Sequence, residues 1–295
     1  MGAGKMMTAN IVKSFSGMIR LDYSFFIALG VPLSGVLSND LDGFGPEYLV
    51  ASVIVFLVAT GSFAFNDYRD FEVDMKNSRL DRPLVTGSLP RRAALLTALV
   101  SYTFALLLSS FLNPIAQFLV LVSTPLFVLY SLGLKRLILL KNVLIAYSYV
   151  ATVFLGSLIS DAVLEPLILY FAMMGFIVVV AFEIMLDIGD VEGDRALGID
   201  TFPTRFGVRR AAEASVLLYG LIMVLDPLPF FAMIDPRLYG DRLFLLMILV
   251  PVASYALISK GLMKDQSRER IFRLKKWTFL TMQWGCVAYL LGVLL

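Results

Sequence analysis

The chain has no histidine and only one cysteine in 295 residues. Without histidine there is no imidazole for acid–base catalysis, for a zinc–histidine site or for haem ligation. A lone cysteine, Cys286, excludes an internal disulfide and a thiolate cluster, and its apolar surroundings make it a small packing residue. Charge is also scarce: 16% of residues are charged, against about 25% in a soluble domain. With 59% apolar residues, the chain has too little polar material to coat a water-soluble globule, and enough to decorate the loops of a membrane protein. A net charge of +2 gives no reason to expect a nucleic-acid partner. No feature requires an obligate protein partner. Any bound metal must rely on oxygen ligands, which favours Mg²⁺, Mn²⁺ or Ca²⁺.

What the sequence does have is long apolar segments, near 21–38, 47–66, 92–112, 114–133, 142–160, 164–186, 211–231, 242–260 and 275–294. Each approaches the ~20 residues that cross a bilayer. The expected fold is therefore all-α: a polytopic membrane protein of nine transmembrane helices in one bundle. It also reads as two four-helix halves plus one. Residues 1–295 are taken as a single membrane-embedded domain. The least defined boundaries are Asn113-Pro114 and Asp226-Pro227. Residues 1–20 lack the apolar core and cleavage site of a signal peptide. Ile11, Phe15, Met18 and Ile19 recur at helical spacing, which predicts a short interfacial helix, with a frayed terminus packed on the bundle as the alternative. Of 25 basic residues, 23 fall in the amino-terminal segment or in alternate loops, leaving only Arg237 and Arg242 on the other side. The positive-inside rule then predicts a cytoplasmic amino terminus and a carboxyl terminus outside the cell membrane.

Two acidic clusters break the low-charge pattern, each where a span ends. Asn66, Asp70 and Asp74 follow at i, i+4, i+8, with Asp67 beside them. If the helix continues, they drift by about 40° per step and share a face. Glu183, Asp187, Asp190 and Asp194 fall within an arc of roughly 60° by the same arithmetic. Stacked like charges destabilise a helix, more so beside a membrane, unless a cation compensates. Four spans separate Asp67 from Asp187, so both clusters belong to one membrane face and read as a divided metal–diphosphate site. The alternative for each cluster alone is a solvated loop. Basic residues of the same layer, including Lys76, Arg79, Arg82, Lys135, Arg136, Arg195 and Arg205, suit phosphate, or else serve topology and anionic lipid.

Asn66-Asp67-x-x-Asp70-x-x-x-Asp74, with Asp81-Arg82-Pro83-Leu84 and Gly87 after it, resembles the first signature of the UbiA superfamily of intramembrane prenyltransferases. Asp187-x-x-Asp190-x-x-x-Asp194, with Arg195, Gly198, Thr201, Pro203 and Gly207, resembles the second. Tyr130-Ser131, Lys135-Arg136 and Asn142 are similar to the stretch between spans four and five, although Lys141 stands where the family usually has glycine. The resemblance covers nearly the whole chain. It implies two Mg²⁺ ions bridging a prenyl diphosphate, with Asn66, Asp70, Asp74, Asp187, Asp190 and Asp194 as metal ligands. Asp67, Asp70 and Asp194 would be catalytic, and Arg20, Arg82, Lys135 and Arg136 would bind diphosphate.

The chemistry expected is loss of diphosphate from an allylic carbon and capture of the cation by a lipophilic acceptor. Metal and basic groups would stabilise the leaving charge, and aromatic faces such as those of Tyr68, Tyr130, Tyr147 and Tyr149 could stabilise the cation. Asp67 is one acceptor for the hydroxyl proton; ligand or ligand orienter is its other role. The segment 191–195 is similar to archaeal enzymes that attach geranylgeranyl groups to a glycerol-phosphate ether lipid, which makes geranylgeranylglyceryl phosphate the first expectation for acceptor. Aromatic acceptors of quinone or chlorophyll type are the alternative. An ion-coupled transporter is the rival of another class, but its charges would normally lie at mid-membrane.

Overall fold

A computed structural model describes residues 11–40, 45–76, 79–196 and 198–295. Among these the regular structure is entirely helical. The helices are α1 (Ile11–Met18), α2 (Leu21–Leu37), α3 (Pro46–Lys76), α4 (Arg91–Leu108), α5 (Pro114–Leu132), α6 (Leu140–Leu158), α7 (Pro166–Ala196), α8 (Phe202–Phe206), α9 (Val208–Leu225), α10 (Leu228–Phe231), α11 (Arg242–Lys264) and α12 (Arg268–Leu294). Eight stretches, with α9 and α10 counted as one, are long and apolar enough to cross a membrane. The α1–α2 pair, bent by 49°, makes a ninth when it is read as one broken span. The bend falls at Arg20, whose φ of 46° lies in the left-handed region. Half of the expected amino-terminal helix, 1–10 with Lys5, lies outside the described residues; α1 is its other half.

Contacts divide the chain into two compact units. The first comprises 1–35, 42–134 and 155–163; the second comprises 36–41, 135–154 and 164–295. In the first, α3 packs on α4. Gly61 permits this: a Cβ there would meet the Tyr102 ring at 3.1 Å. Tyr102 also lies 3.1 Å, hydroxyl to hydroxyl, from Ser62. Small Ala64, Ala94 and Ala98 are buried with Met18, Ile19, Leu84 and Leu89. In lipid the hydrophobic effect does not drive helices together, so close approach over small residues and interhelical hydrogen bonds carry association. The second unit follows the same rule. Gly189 of α7 faces Ile271 of α12, and Ser215 of α9 donates to the Ala181 carbonyl at 2.7 Å. Large apolar side chains such as Phe104, Phe118, Leu217 and Leu257 are exposed, which suits a lipid solvent.

The uncertain boundaries have local causes. Asn113 caps α5: its Oδ1 accepts from Ile115 and Ala116 at 3.1 and 3.0 Å, and its Nδ2 donates to the carbonyls of Leu158 and Ile159. The break between the third and fourth spans is thus a pinned turn. Helix α9 ends at Leu225, where Tyr170 and Tyr289 hydroxyls take the carbonyls of Leu225 and Asp226. Arg237, one of two basic residues outside the charged layer, donates to the Leu37 carbonyl at 2.6 Å and pairs with Asp235 at 2.7 Å. Its charge serves the end of α2, which explains why it departs from the topological pattern.

Helices α3 and α7 have 31 residues each. At 1.5 Å per residue that is about 46 Å, against ~30 Å of hydrocarbon. Each therefore has a surplus of some two to three turns, and in both the acidic residues occupy the carboxyl-terminal part. The condition for the carboxylate stripes, that the helix runs on through the cluster, is met in both.

Candidate functional site

The first acidic end is built on α3. Asn66, Asp70 and Asp74 lie along one face, and Asp67 is turned inward, 2% exposed. Asp67 Oδ1 accepts from Arg20 Nη2 at 3.3 Å and from Arg82 Nη1 at 3.0 Å. Its Oδ2 is buried with no hydrogen-bond partner. Arg82 Nε lies 3.9 Å from Asp74 Oδ2. Core anchors set both arginines: Arg20 follows buried Met18 and Ile19, and Arg82 precedes buried Leu84 by two residues. The loop holding Arg82 closes on itself, with Thr86 N–H donating to the Arg82 carbonyl and Leu89 N–H to that of Pro83. Gly87 has φ +71°, and no atom would meet a Cβ there, so backbone conformation alone calls for glycine.

Two like charges gathered on one carboxylate oxygen leave donors to spare for an anion. The Arg20 guanidinium also lies over the Phe63 ring, 4.4 Å from its centroid. Arg91 clamps the last turns of α3 from outside, over Tyr68 at 4.7 Å and Phe71 at 5.1 Å, and pairs with Glu72 at 3.1 Å. Arg79 and Asp81 form a two-bond pair, both at 2.9 Å, which holds the Asp81 carboxyl down at about 2.

The second acidic end is built on α7 and differs. Asp187 is 1% exposed, and both of its oxygens are taken. Lys141 Nζ contacts Oδ1, and Asn142 Nδ2 donates to Oδ2 at 3.0 Å. Asp190 is exposed. Asp194 is half-buried, and its Oδ2 is buried without a hydrogen-bond partner. The helix stops just beyond. Ile199 N–H donates to the Asp194 carbonyl at 2.9 Å, and Gly198 takes φ +65°. Thr201 and Thr204 then form the capping box of α8.

Of the residues expected to bind diphosphate, Arg20 and Arg82 meet on Asp67. Lys135, half-buried, and Arg136, exposed, occupy a single 3₁₀ turn, Leu134–Arg136. Three partners were not singled out as site residues from sequence: Lys141, Asn142 and Arg91. The only signal for Lys141 was its replacement of the usual glycine. Tyr149, a candidate aromatic face, packs against Gly175 and lies near Phe171 with ring centroids 6.0 Å apart.

Chemically, the candidate metal-binding side chains at both ends are all oxygen ligands, and on α7 the Asp194 Oδ2 is buried without a partner. An unsatisfied buried polar atom costs about 1–3 kcal/mol, more when charged. A hard divalent cation would satisfy such oxygens, so the donor set fits Mg²⁺.

The family model for the UbiA prenyltransferase family matches residues 24–284. The chain belongs to the UbiA prenyltransferase family. This membership makes it a membrane-embedded prenyltransferase and sets aside the transporter reading. A digeranylgeranylglyceryl phosphate synthase of Archaeoglobus fulgidus is 32% identical over 285 residues, 95% of each chain. One from Thermococcus kodakarensis is 32% identical over 88% of this chain and 92% of its own. A solved structure concerned with digeranylgeranylglyceryl phosphate synthase in membranes shares the fold, with TM-score 0.76, 22% identity, and coverage of 96% of this UbiA-family chain and 98% of its own. A UbiA homologue from A. fulgidus bound to DMAPP and Mg²⁺ has TM-score 0.66 and 17% identity, covering 94% and 99%.

Proposed function

We propose that this UbiA-family enzyme transfers a geranylgeranyl group from its diphosphate to the free hydroxyl of geranylgeranylglyceryl phosphate, with Mg²⁺ as cofactor. The observation that carries the proposal is the shared D-x-x-D-x-x-x-D register of α3 and α7, with Asp194 Oδ2 on α7 buried and lacking a partner. The named relatives support the acceptor, and the A. fulgidus homologue described with DMAPP and Mg²⁺ supports donor class and metal.

Asn66, Asp70 and Asp74 on α3 and Asp190 and Asp194 on α7 are the proposed Mg²⁺ ligands, one ion to each helix end. Bound Mg²⁺ supplies Lewis-acid stabilisation of charge on the leaving diphosphate. Arg20 and Arg82 neutralise diphosphate oxygens from fixed positions, so their attraction grows as the allylic C–O bond breaks and charge develops. Asp67 keeps both guanidiniums in place through Oδ1. Lys135 and Arg136 are the further proposed diphosphate-binding residues. The apolar chain lies among helices, and exclusion of water protects the allylic cation from hydrolysis. The amino terminus and the acidic ends face the cytoplasm, and the carboxyl terminus faces out.

The test crosses geranyl, farnesyl and geranylgeranyl diphosphates with geranylgeranylglyceryl phosphate and aromatic acceptors, using purified protein and reading products by mass. The expected product is digeranylgeranylglyceryl phosphate, lost with EDTA and regained with Mg²⁺. Turnover with aromatic acceptors alone would overturn the acceptor assignment. Asp70→Ala and Asp194→Ala should abolish transfer without loss of fold in detergent; normal turnover in either sinks the ligand assignment.

A further inference from the structure

The two stripes share one register, so Asp67 and Asp187 are equivalent first members. Both are almost wholly buried, and both hold protein cations, yet they do so differently. Asp67 places two arginines on one oxygen and leaves the other bare. Asp187 has both oxygens occupied, by consecutive residues of the first turn of α6. That turn starts directly after Leu139, a non-glycine residue at φ 60°, and this backbone reversal directs Lys141 and Asn142 together onto α7.

We propose that Lys141 is a built-in cation of the second acidic end: with Asn142 it keeps Asp187 out of metal coordination, so that Asp190 and Asp194 alone bind the divalent ion on α7. The inference rests on the proposed metal site and deepens it. A metal needs a lone pair of Asp187 within about 2.1 Å. Each oxygen already has one donor, an ammonium or an amide, and at 1% exposure the remaining lone pairs face the packed bundle rather than an open approach. A divalent ion added there would also face the ammonium at close range and be repelled. Asp194, one helical stripe further on, has the buried partnerless oxygen that Asp187 lacks. Lys141 is thus a positioning residue. It supplies one fixed positive charge to a stripe of three aspartates and sets how many carboxylates the ion can use.

The test is Mn²⁺ binding to the purified full-length protein, followed by the free Mn²⁺ EPR signal, with inorganic pyrophosphate present. An Asp70→Asn, Asp74→Asn background silences α3. In that background Asp194→Asn should weaken binding at least tenfold, whereas Asp187→Asn should change it less than threefold. Lys141→Met should release Asp187 as an extra ligand and tighten binding at least fivefold. The pair Lys141→Met with Asp187→Asn exchanges the ion pair for neutral groups of similar size and should return affinity to its starting value. That pair, with its melting temperature, separates misfolding from metal effects. Weakening by Asp187→Asn to the extent of Asp194→Asn, or no tightening in Lys141→Met, would overturn the proposal. No loss on Asp194→Asn would remove the α7 metal site and the proposal with it. Transfer of the prenyl group is a separate readout: this Mn²⁺ pattern without turnover faults only the proposed function, and turnover with the Asp194→Asn loss but without the Lys141→Met tightening faults only the role of Lys141.

Discussion

The first turns of the two acidic ends solve one problem in two ways. A carboxylate turned into the bundle needs a cation. On α3 two cations come from two separate segments: Arg20 from the bend before α2 and Arg82 from the loop after α3, both converging on Asp67 Oδ1. On α7 one cation, Lys141, and one neutral amide, Asn142, come from a single turn. Guanidiniums have rigid, planar donors, so two of them on one oxygen still present other N–H groups to an anion. The ammonium of Lys141 is a compact point charge, and it closes its carboxylate instead of opening it. On the proposed function, the α3 end would receive anionic substrate oxygens, and the α7 end would restrict which carboxylates take part.

The sharpest way to break this comparison is to neutralise each leading aspartate. Asp67→Asn leaves two partly buried guanidiniums facing one another without their shared carboxylate. Losing one partner of a buried pair costs about 3–5 kcal/mol, and the upper part of that range is expected here. Asp187→Asn leaves one lysine, whose flexible stem can carry the ammonium to a wetter position, so about half that loss is expected. Urea or thermal unfolding in detergent compares the two. Equal losses would mean the cation type does not distinguish the ends.

Much of this was legible in sequence because membrane physics leaves few options. Apolar runs near 20 residues predict the helices, and among the described residues they occur where expected, with α3, α7 and α12 longer than their apolar parts. The spacing of Asn66, Asp70 and Asp74, and the shared arc of Glu183, Asp187, Asp190 and Asp194, predicted the stripes. Family spacing supplied Arg82 as a basic group near them. What sequence could not show was the pairing. Nothing in the separation of 47 residues says that Arg20 meets Asp67, because the α1–α2 bend at a left-handed Arg20 decides it. Nor does spacing say that Lys141 meets Asp187 rather than a substrate phosphate, since a lysine at a helix start is equally suited to both. The turn at Leu139 decides that one.

A smaller effect compares the loops that follow the two stripes. Gly87 and Gly198 have φ +71° and +65°, and neither would meet another atom if given a Cβ. Substitution by alanine therefore costs only the left-handed conformation, about 1–2 kcal/mol, in both loops. The functional consequences should differ. Gly87→Ala strains the loop that holds Arg82 and should raise KM for the prenyl diphosphate. Gly198→Ala strains the stop after Asp194 and should act on the Mg²⁺ concentration that supports half-maximal turnover. Steady-state kinetics with donor and metal varied separately would read both. Identical profiles would mean that the loops serve the fold alone.

The smallest expected effect concerns the Arg79–Asp81 pair, which belongs to the α3 end. The two hydrogen bonds from Arg79 hold the Asp81 carboxyl at about 2, below its usual value of 3.8. A carboxyl depressed in the folded state binds fewer protons there than when unfolded, so stability rises with pH across that interval. The contribution is complete above about pH 4, declines as pH falls from there toward 2, and is gone below 2. The side chains are 44% and 61% exposed, so solvent screening keeps the contribution below about 1 kcal/mol. Arg79→Ala should lower the melting temperature slightly at pH 6, and the difference from the parent should shrink as pH falls toward 2. A difference that stays constant from pH 6 to pH 2 would assign the effect of Arg79 to its packing and leave Asp81 without a share in holding the Arg82 loop.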